Sequence, residues 1–513
     1  MLRLLHRTIP ILVASLLGAC ASVDFDYPKP PSSALLDTED TYLGQELAGV
    51  TEQQPGEAGF YPLADGIDAL ASRLLLAERA ERSIDVQYYL IKSDITSNAF
   101  IRSLLRAADR GVRVRLLLDD VFTGGYDAGM AALDSHPNFE IRIFNPFANR
   151  SARFVDGITG FSRINRRMHN KSFTVDNQIT IIGGRNIADE YFAAGADVNF
   201  GDLDVMGIGP IVAEVSEMFD SYWNHERAAP IEAFAKMPDD PAAELERIRA
   251  ELEQSRQQIL DSEYAEAVLD QILEYVETDT GAFTWAPYVL AVDSPDKSFK
   301  SRADTASSIT TTLRESLFSA KKEIIIISPY FVPLKSGIEG IVALRDRGIE
   351  VTVITNSLAA NNHTAVHGGY APSRKPLLKT GVRIFEFRAD ADIPGTQIAA
   401  EEGAIATLHT KAFIVDAQEF FIGSFNFDPR SANINTELGV IIQSPEIAET
   451  AANTIKNGLA EKTYEVFLND KGKLRWRGLE NGKEVVHDKE PQTKWSKRFA
   501  AGFSRILPIR GQL

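Results

Sequence analysis

Leu408 to Asp428 reads LHTKAFIVDAQEFFIGSFNFD. A His is followed two residues on by a Lys, five beyond that by an Asp, then by Gly-Ser-Phe-Asn. Met168 to Asn186 reads MHNKSFTVDNQITIIGGRN and has the same grammar. His169, Lys171, Asp176, Gly183 and Asn186 match His409, Lys411, Asp416, Gly423 and Asn426 at identical spacings. One His-x-Lys pair is common by chance, but two complete copies in one chain are not. A His and a Lys two apart on a strand share a face. A short apolar run then leads to the Asp and a turn, and a second strand returns to the Asn. That hairpin brings Asn186 back beside His169, and Asn426 beside His409. Two such copies suggest two half-sites facing each other.

The repeat extends to whole lobes. Ser83 to Ile91 (SIDVQYYLI) reads as a strand, Asn98 to Arg110 as a helix stopped by Gly111, and Val112 to Leu118 and Phe139 to Phe144 as strands. Glu323 to Ser328, Leu344 to Val351 and Val382 to Phe387 repeat that order. Strands alternating with helices predict an α/β fold with parallel pairs. The boundaries read as a first lobe over 60–235, a helical linker over 236–285 and a second lobe over 286–460. In the linker, Leu245, Ile248, Leu252, Ile259 and Leu260 form a narrow apolar stripe that suits packing of one face on the body.

The termini differ in character. Residues 1–19 look like an export signal: Arg3 and Arg7 precede a short apolar core, too short to span a bilayer comfortably. Leu17-Gly18-Ala19-Cys20 resembles a bacterial lipobox, and Cys20 is the only Cys of the chain. Residues 20–59 read as a tether with some local order. Residues 461–513 carry a hairpin signal at Asn481-Gly482 and a basic amphipathic segment. There Lys494, Lys497, Arg498, Arg505 and Arg510 accompany Trp495, Phe499, Phe503, Ile506 and Leu507 at helical spacing. This pattern suits an anionic membrane surface or a terminal helix docked on the body.

The 513-residue chain is 44% hydrophobic and carries a formal charge of -17, which argues against a nucleic-acid partner. Two His, two Lys and two Asn suit phosphate chemistry: Lys and Asn donate to phosphate oxygens, leaving the imidazoles for nucleophilic and acid–base work. A Lys beside each His opposes a metal cation. His363 and His367 are four apart but lack a visible third ligand; His367 is a candidate for the acceptor pocket. Asp119-Asp120 and Asn356 follow corresponding strands, where α/β sheets place ligand-binding loops. Tyr88, Tyr89, Tyr330 and Phe331 end strands and could line the cleft or pack in the core.

These residues resemble the paired His-x-Lys-x4-Asp signatures of the phospholipase D superfamily. Asn426-Phe427-Asp428-Pro429-Arg430-Ser431 and Asn435-Thr436-Glu437 continue the second motif in family style. RLLLDD, DSHPNFEIRIFNPF, RRMHNKSFTVD, TNSLAANN and GSFNFDPRSANINTE resemble the bacterial cardiolipin synthases of the C type, from about Ala58 to the C-terminus. The resemblance implies two pseudo-twofold-related α/β lobes, each a mixed β-sheet flanked by helices, with one site between them. It implies a phosphohistidine mechanism without cofactor or metal, with His169 as nucleophile and His409 as acid–base; the residues themselves leave that order open. Lys171, Lys411, Asn186, Asn426 and Ser424 would bind the phosphate. Asp176 and Asp416 belong to the catalytic motif but suit holding the turn. An acidic partner orients each His: Glu437 fits the second half, and aligning its strand with DVMGIG puts Asp204 in the first. Cys20 would carry the lipid, placing a lipoprotein in the cell envelope facing the periplasm, the outer membrane favoured. The expected substrates are phosphatidylglycerol and a second phospholipid, phosphatidylethanolamine or phosphatidylglycerol, at a membrane surface. The alternatives are a phospholipase D hydrolase and, more weakly, a nuclease or a non-catalytic lipoprotein scaffold.

Overall fold

A computed structural model describes residues 23–150, 152–277, 282–299, 308–401, 403–505 and 510–513. The expected signal peptide and Cys20 lie outside the described residues, as do Ile506 and Leu507.

Each lobe is built on three parallel strands. In the first these are Ser83–Tyr88, Arg113–Asp119 and Phe139–Phe144; in the second, Glu323–Ile327, Glu350–Asn356 and Arg383–Phe387. The helices that join the first two strands stop where Gly111 (φ 97°) and Gly348 (φ 83°) take the left-handed conformation, which glycine adopts without steric cost. Each motif supplies a hairpin that pairs antiparallel with the first strand of its lobe: Ser172–Val175 with Ile179–Gly183, and Ala412–Val415 with Glu419–Gly423. Asp204–Ile208 and Leu438–Ile442 then lie beside the hairpins. Among the described residues the sheets reach nine and ten strands, both mixed.

The chain passes between lobes at Pro287: Thr284–Ala286 joins the first sheet and Tyr288–Val292 the second. One apolar cluster unites the lobes, with Met168, Ile182 and Val205 of the first packed with Ile327, Leu408 and Leu438 of the second. A large apolar contact of this kind holds two lobes as one body.

Two stretches differ in detail from the sequence reading, and the linker between them packs as its apolar stripe suggests. Residues 23–57, expected as a tether, lie against the first lobe. Lys29 Nζ donates to the carbonyls of His225, Glu226 and Ala228, and the helix Tyr42–Thr51 buries Leu43 and Leu47. Buried apolar side chains and satisfied backbone groups hold this segment down despite its Pro-rich composition. The linker helices Pro241–Ile259 and Glu263–Glu277 also pack on the first lobe, burying Leu245, Ile248 and Leu252, with Ile259 and Leu260 half-buried. The hairpin over Leu474–Glu480 and Lys483–His487 is no separate unit. Thr463–Leu468 joins it to the second sheet beside Arg383–Phe387, and its turn uses Asn481 (φ 51°) and Gly482 (φ 73°).

Candidate active site

The motif residues come together at the seam between the lobes, and the stitching crosses it. The His169 N–H donates to Thr436 O (2.9 Å) and the Thr436 N–H to Arg167 O (3.0 Å). Symmetrically, Ile405–Leu408 pairs with Val198–Gly201, and the His409 N–H donates to Gly201 O (2.8 Å). Each catalytic-motif strand therefore lies against the segment of the other lobe that ends in an acid.

That crossing decides the carboxylate partners. His169 Nδ1 lies 2.8 Å from Glu437 Oε2, and His409 Nδ1 lies 2.5 Å from Asp202 Oδ2. The expectation that Glu437 serves its own half, and Asp204 the first, is corrected on both counts. Asp204 instead pairs with buried Arg73 at 2.7 Å and stands near Arg185 at 3.4 Å. Strand pairing shows why the alignment slipped. Gly183 faces Asp204 where Gly423 faces Gly439, so Asp202-Leu203 is the counterpart of Glu437-Leu438. The acid-Leu dipeptide was the signal available in the sequence, two residues upstream of the one used.

The difference between Gly184 and Ser424 has the same origin. The Gly184 and Ser424 N–H groups donate to the equivalent carbonyls of Leu203 and Leu438. The Ser424 hydroxyl donates to Glu437 Oε2 (2.5 Å) and accepts from the Leu438 N–H (3.0 Å). It is committed to holding Glu437, which corrects its expected role as a phosphate ligand. At Gly184 a Cβ would stand 2.2 Å from Asp202 Oδ1, so only glycine leaves room for that carboxylate. Gly184→Ala is therefore expected to displace Asp202 and lower kcat by roughly 10²-fold, as loss of a His-orienting acid does. Steady-state kinetics check this; an unchanged kcat would remove Asp202 from the His409 assembly.

Asp176 and Asp416 stand at the far end of each hairpin, about 16 Å of extended chain from the Lys. Both have positive φ, as do Asn177 and Ala417 after them, in three-residue loops where the Gln178 and Gln418 N–H groups donate to the Val175 and Val415 carbonyls. Asp176 accepts the N–H groups of Glu81, Arg82 and Ser83, and Asp416 those of Lys321, Lys322 and Glu323. These two motif members hold the turn to the next strand and do not reach the reacting centre, a correction to their place among the catalytic residues.

Two further residues hold the His-bearing strands. Asp119 accepts from the Met168 N–H (2.9 Å) and pairs with Arg167, while Asn356 brackets Leu408 through both its N–H and its C=O. Each grips the residue just before a catalytic-motif His. Strand ends expected to offer ligand loops thus serve as clamps.

Around the imidazoles the walls are aromatic. Tyr89 stands edge-on to His169, and Tyr191 edge-on and Phe200 stacked on His409. Asn186 Nδ2 donates to the Tyr191 hydroxyl (2.8 Å), and both Asn186 and Asn426 are buried. Tyr330 lies between His409 and His363. Tyr88 and Phe331 are core residues. His367 is enclosed, its Nε2 3.4 Å from Glu490.

Both imidazoles and both ammonium groups are removed from bulk water, and their basicity follows. Burial pushes His169 down to about 4, with Lys171 adding to the effect and Glu437 opposing it. Burial and Lys411, whose Nζ lies 2.9 and 3.3 Å from the ring nitrogens, do the same to His409, also about 4. Lys171 is lowered to about 7 and Lys411 to about 8, again chiefly by burial. Burial pushes both acids up, but Lys411 and His409 more than offset this at Asp202, as His169 and Lys171 do at Glu437. Both end below the usual carboxylate range. An ionised carboxylate only accepts, so each Nδ1 carries the proton and each Nε2 presents its lone pair. The site is thus a buried cluster of four weakened bases held by two ionised carboxylates.

The family described as cardiolipin synthase, PLD-like domain, matches residues 75–223 and 313–458, one stretch in each lobe. Cardiolipin synthase C of Escherichia coli K12 is 39% identical over 473 residues, covering 91% of this chain and 98% of that protein. An uncharacterised protein of Helicobacter pylori 26695 is 31% identical, covering 96% and 97%. The crystal structure of phosphatidylserine synthase from Haemophilus influenzae shares the fold, at a TM-score of 0.57 and 12% identity over 91% of this chain and 99% of its own. With both motifs intact and both family stretches present, the chain belongs to the phospholipase D superfamily, in its cardiolipin synthase-like family, and is an enzyme.

Proposed function

We propose that this protein is a phospholipid phosphatidyltransferase that makes cardiolipin. The observation that carries the reading is the pair of imidazoles, each with Nδ1 on a carboxylate of the opposite lobe and a buried Lys beside it. Such a site can divide transfer into two displacements at phosphorus. In the first, His169 Nε2 attacks the phosphodiester, the P–O bond to the departing alcohol breaks, and His409 Nε2 gives that alcohol its proton. In the second, His409 takes the proton of a phosphatidylglycerol hydroxyl, whose oxygen displaces His169 from phosphorus. The donor is phosphatidylethanolamine, releasing ethanolamine, or phosphatidylglycerol, releasing glycerol. Lys171, Lys411, Asn186 and Asn426 meet the charge on the pentavalent phosphorus oxygens. The E. coli relative's name and the aromatic walls support lipid substrates.

A phosphodiester among four lowered bases raises them all, which lets His409 hold the proton it must give. Anion binding is therefore expected to draw protons in at pH 7–8 and to weaken as pH rises past the Lys values of about 7 and 8. Calorimetry with sulfate, which does not titrate there, should give a heat that varies with buffer ionisation enthalpy. A buffer-independent heat would contradict this.

Purified protein supplied with phosphatidylglycerol alone, then with phosphatidylethanolamine added, decides the reaction by its lipid products. Cardiolipin is expected. Phosphatidic acid without cardiolipin would identify a hydrolase. Among the described residues no helix is long and apolar enough to cross a membrane. An acylated Cys20 as first mature residue of an envelope lipoprotein would supply the anchor, and mass analysis of the mature N-terminus tests it.

A further inference from the structure

We propose that the helix Trp495–Ser504, with the exposed Phe154 and Phe161 of the first lobe, seats the mouth of the active site on an anionic phospholipid bilayer. The inference rests on the lipid-substrate reading and specifies how the substrate is reached.

The helix has two unlike faces. Ala501 and Ser504 are buried against the helix Thr364–Tyr370, where a Cβ at Gly368 would stand 2.0 Å from Ser504 Oγ. That close contact fixes which face turns outward. On it, Trp495 is 72%, Phe499 66% and Phe503 54% exposed, four residues apart in succession. An aromatic stripe left in water on a docked helix is apolar area without a partner among the described residues. In a lipid interface the same stripe is stabilised, Trp most of all.

The stripe is tied to the catalytic cleft on both sides. Lys497 Nζ donates to the carbonyls of Ala359 and Asn361, in the segment whose His363 packs on Tyr330 beside His409. The last residues continue across the seam: the Arg430 N–H donates to Leu513 O, and Asn165 Nδ2 to Gln512 Oε1. Asn165 ends the short helix Phe161–Ile164 of the first lobe, where Phe161 is 54% exposed, and Phe154 in the preceding helix Arg153–Thr159 is 73% exposed. From the first centre, His169 leads through Tyr89 to half-exposed Phe122.

Charge selects the partner. The chain carries -17 overall, yet residues 491–513 contain Lys494, Lys497, Arg498, Arg505 and Arg510 and no acid. Lys494 and Arg505 are exposed beside the stripe. A basic rim on an otherwise acidic protein would orient this face toward anionic lipid and repel the rest of the surface from it.

The test uses the full chain with vesicles containing phosphatidylglycerol brominated in its acyl chains, and vesicles of phosphatidylcholine alone. Tryptophan emission should be quenched by the first and not the second, and Trp495→Phe should abolish the quenching while keeping the binding. Phe499→Ser with Phe503→Ser should weaken vesicle binding by about tenfold or more and slow turnover on vesicles, with turnover on detergent-dispersed lipid retained. Quenching that persists in Trp495→Phe, or unchanged vesicle binding in the double variant, would overturn the proposal. So would a concentration-dependent dimer of the wild type that the double variant abolishes, since a second copy would then cover the stripe. Absence of turnover on dispersed lipid in the wild type would instead count against the transferase reading and leave the quenching result to stand on its own.

Discussion

His169→Ala should reduce lipid transfer by roughly 10⁴-fold or more, and His409→Ala should do nearly the same. Each Nε2 serves a separate proton or phosphorus event, and neither can be replaced by water in a site where both rings are buried. The double variant should be little worse than either single one, because the two groups act as a unit. The variants should also differ in kind. Without His409 the first displacement still has its nucleophile, so a substrate with a good leaving group, such as a nitrophenyl phosphodiester, should restore a single burst of nitrophenol. Without His169 no such burst is expected. Steady-state rates and burst amplitudes check both, and full activity in either Ala variant would remove the two-His mechanism.

The second large effect separates two acids that lie two residues apart. Asp202→Asn should cut kcat by about 10²–10⁴-fold, since the amide cannot hold the His409 tautomer that the carboxylate does, and should leave the melting temperature close to that of the wild type. Asp204→Asn should do the reverse. It leaves Arg73 buried beside a neutral group, which costs about 3–5 kcal/mol when a buried pair is broken, with Arg185 losing its neighbour as well. Stability should fall well before turnover per folded molecule does. Glu437→Gln should resemble Asp202→Asn, although Glu437 sits in the second lobe and acts on the first lobe's His. Denaturation curves beside kcat measurements decide between these assignments. A large loss of turnover in stable Asp204→Asn would restore that residue as the His-orienting group.

The repeated motif, the lobe duplication and the hairpins were legible because they rest on spacing within one stretch. Period-2 strands, a glycine that stops a helix and a tight turn are local, so Gly111, Gly348, Asp176 and Asp416 announce them. The carboxylate partners were less legible because they are not local. Glu437 reaches His169 and Asp202 reaches His409 only after two lobes have packed through Ile182, Val205, Leu408 and Leu438. No periodicity reports a contact across that seam. A comparison of the two copies could still have given Asp202, had Asp202-Leu203 been laid on Glu437-Leu438. Ser424 misled for a related reason: it sits in the motif beside Asn426, but its hydroxyl turns to the acid and not to the open side of the site. The packed arm over residues 23–57 was read as a tether because it is rich in Pro, Ser, Asp and Glu and has no sustained period. The decisive contacts there, Lys29 on three carbonyls and Leu43 and Leu47 on the core, come from few residues.

Each lobe keeps its own imidazole and lends its acid to the imidazole of the other, so neither lobe alone holds a complete His–carboxylate pair. The central claim is that phosphorus is held covalently by one of these imidazoles between the two displacements. Mixing the protein with phosphatidylglycerol, quenching in alkali within milliseconds and mapping the modified peptide by mass tests it directly, since a phosphoramidate survives base and is lost in acid. The account predicts a phosphatidyl group, or its deacylated remnant, on His169, and none in His169→Ala. A modification on His409 would reverse the assigned roles, and cardiolipin formed with no phosphohistidine on either residue would contradict the account.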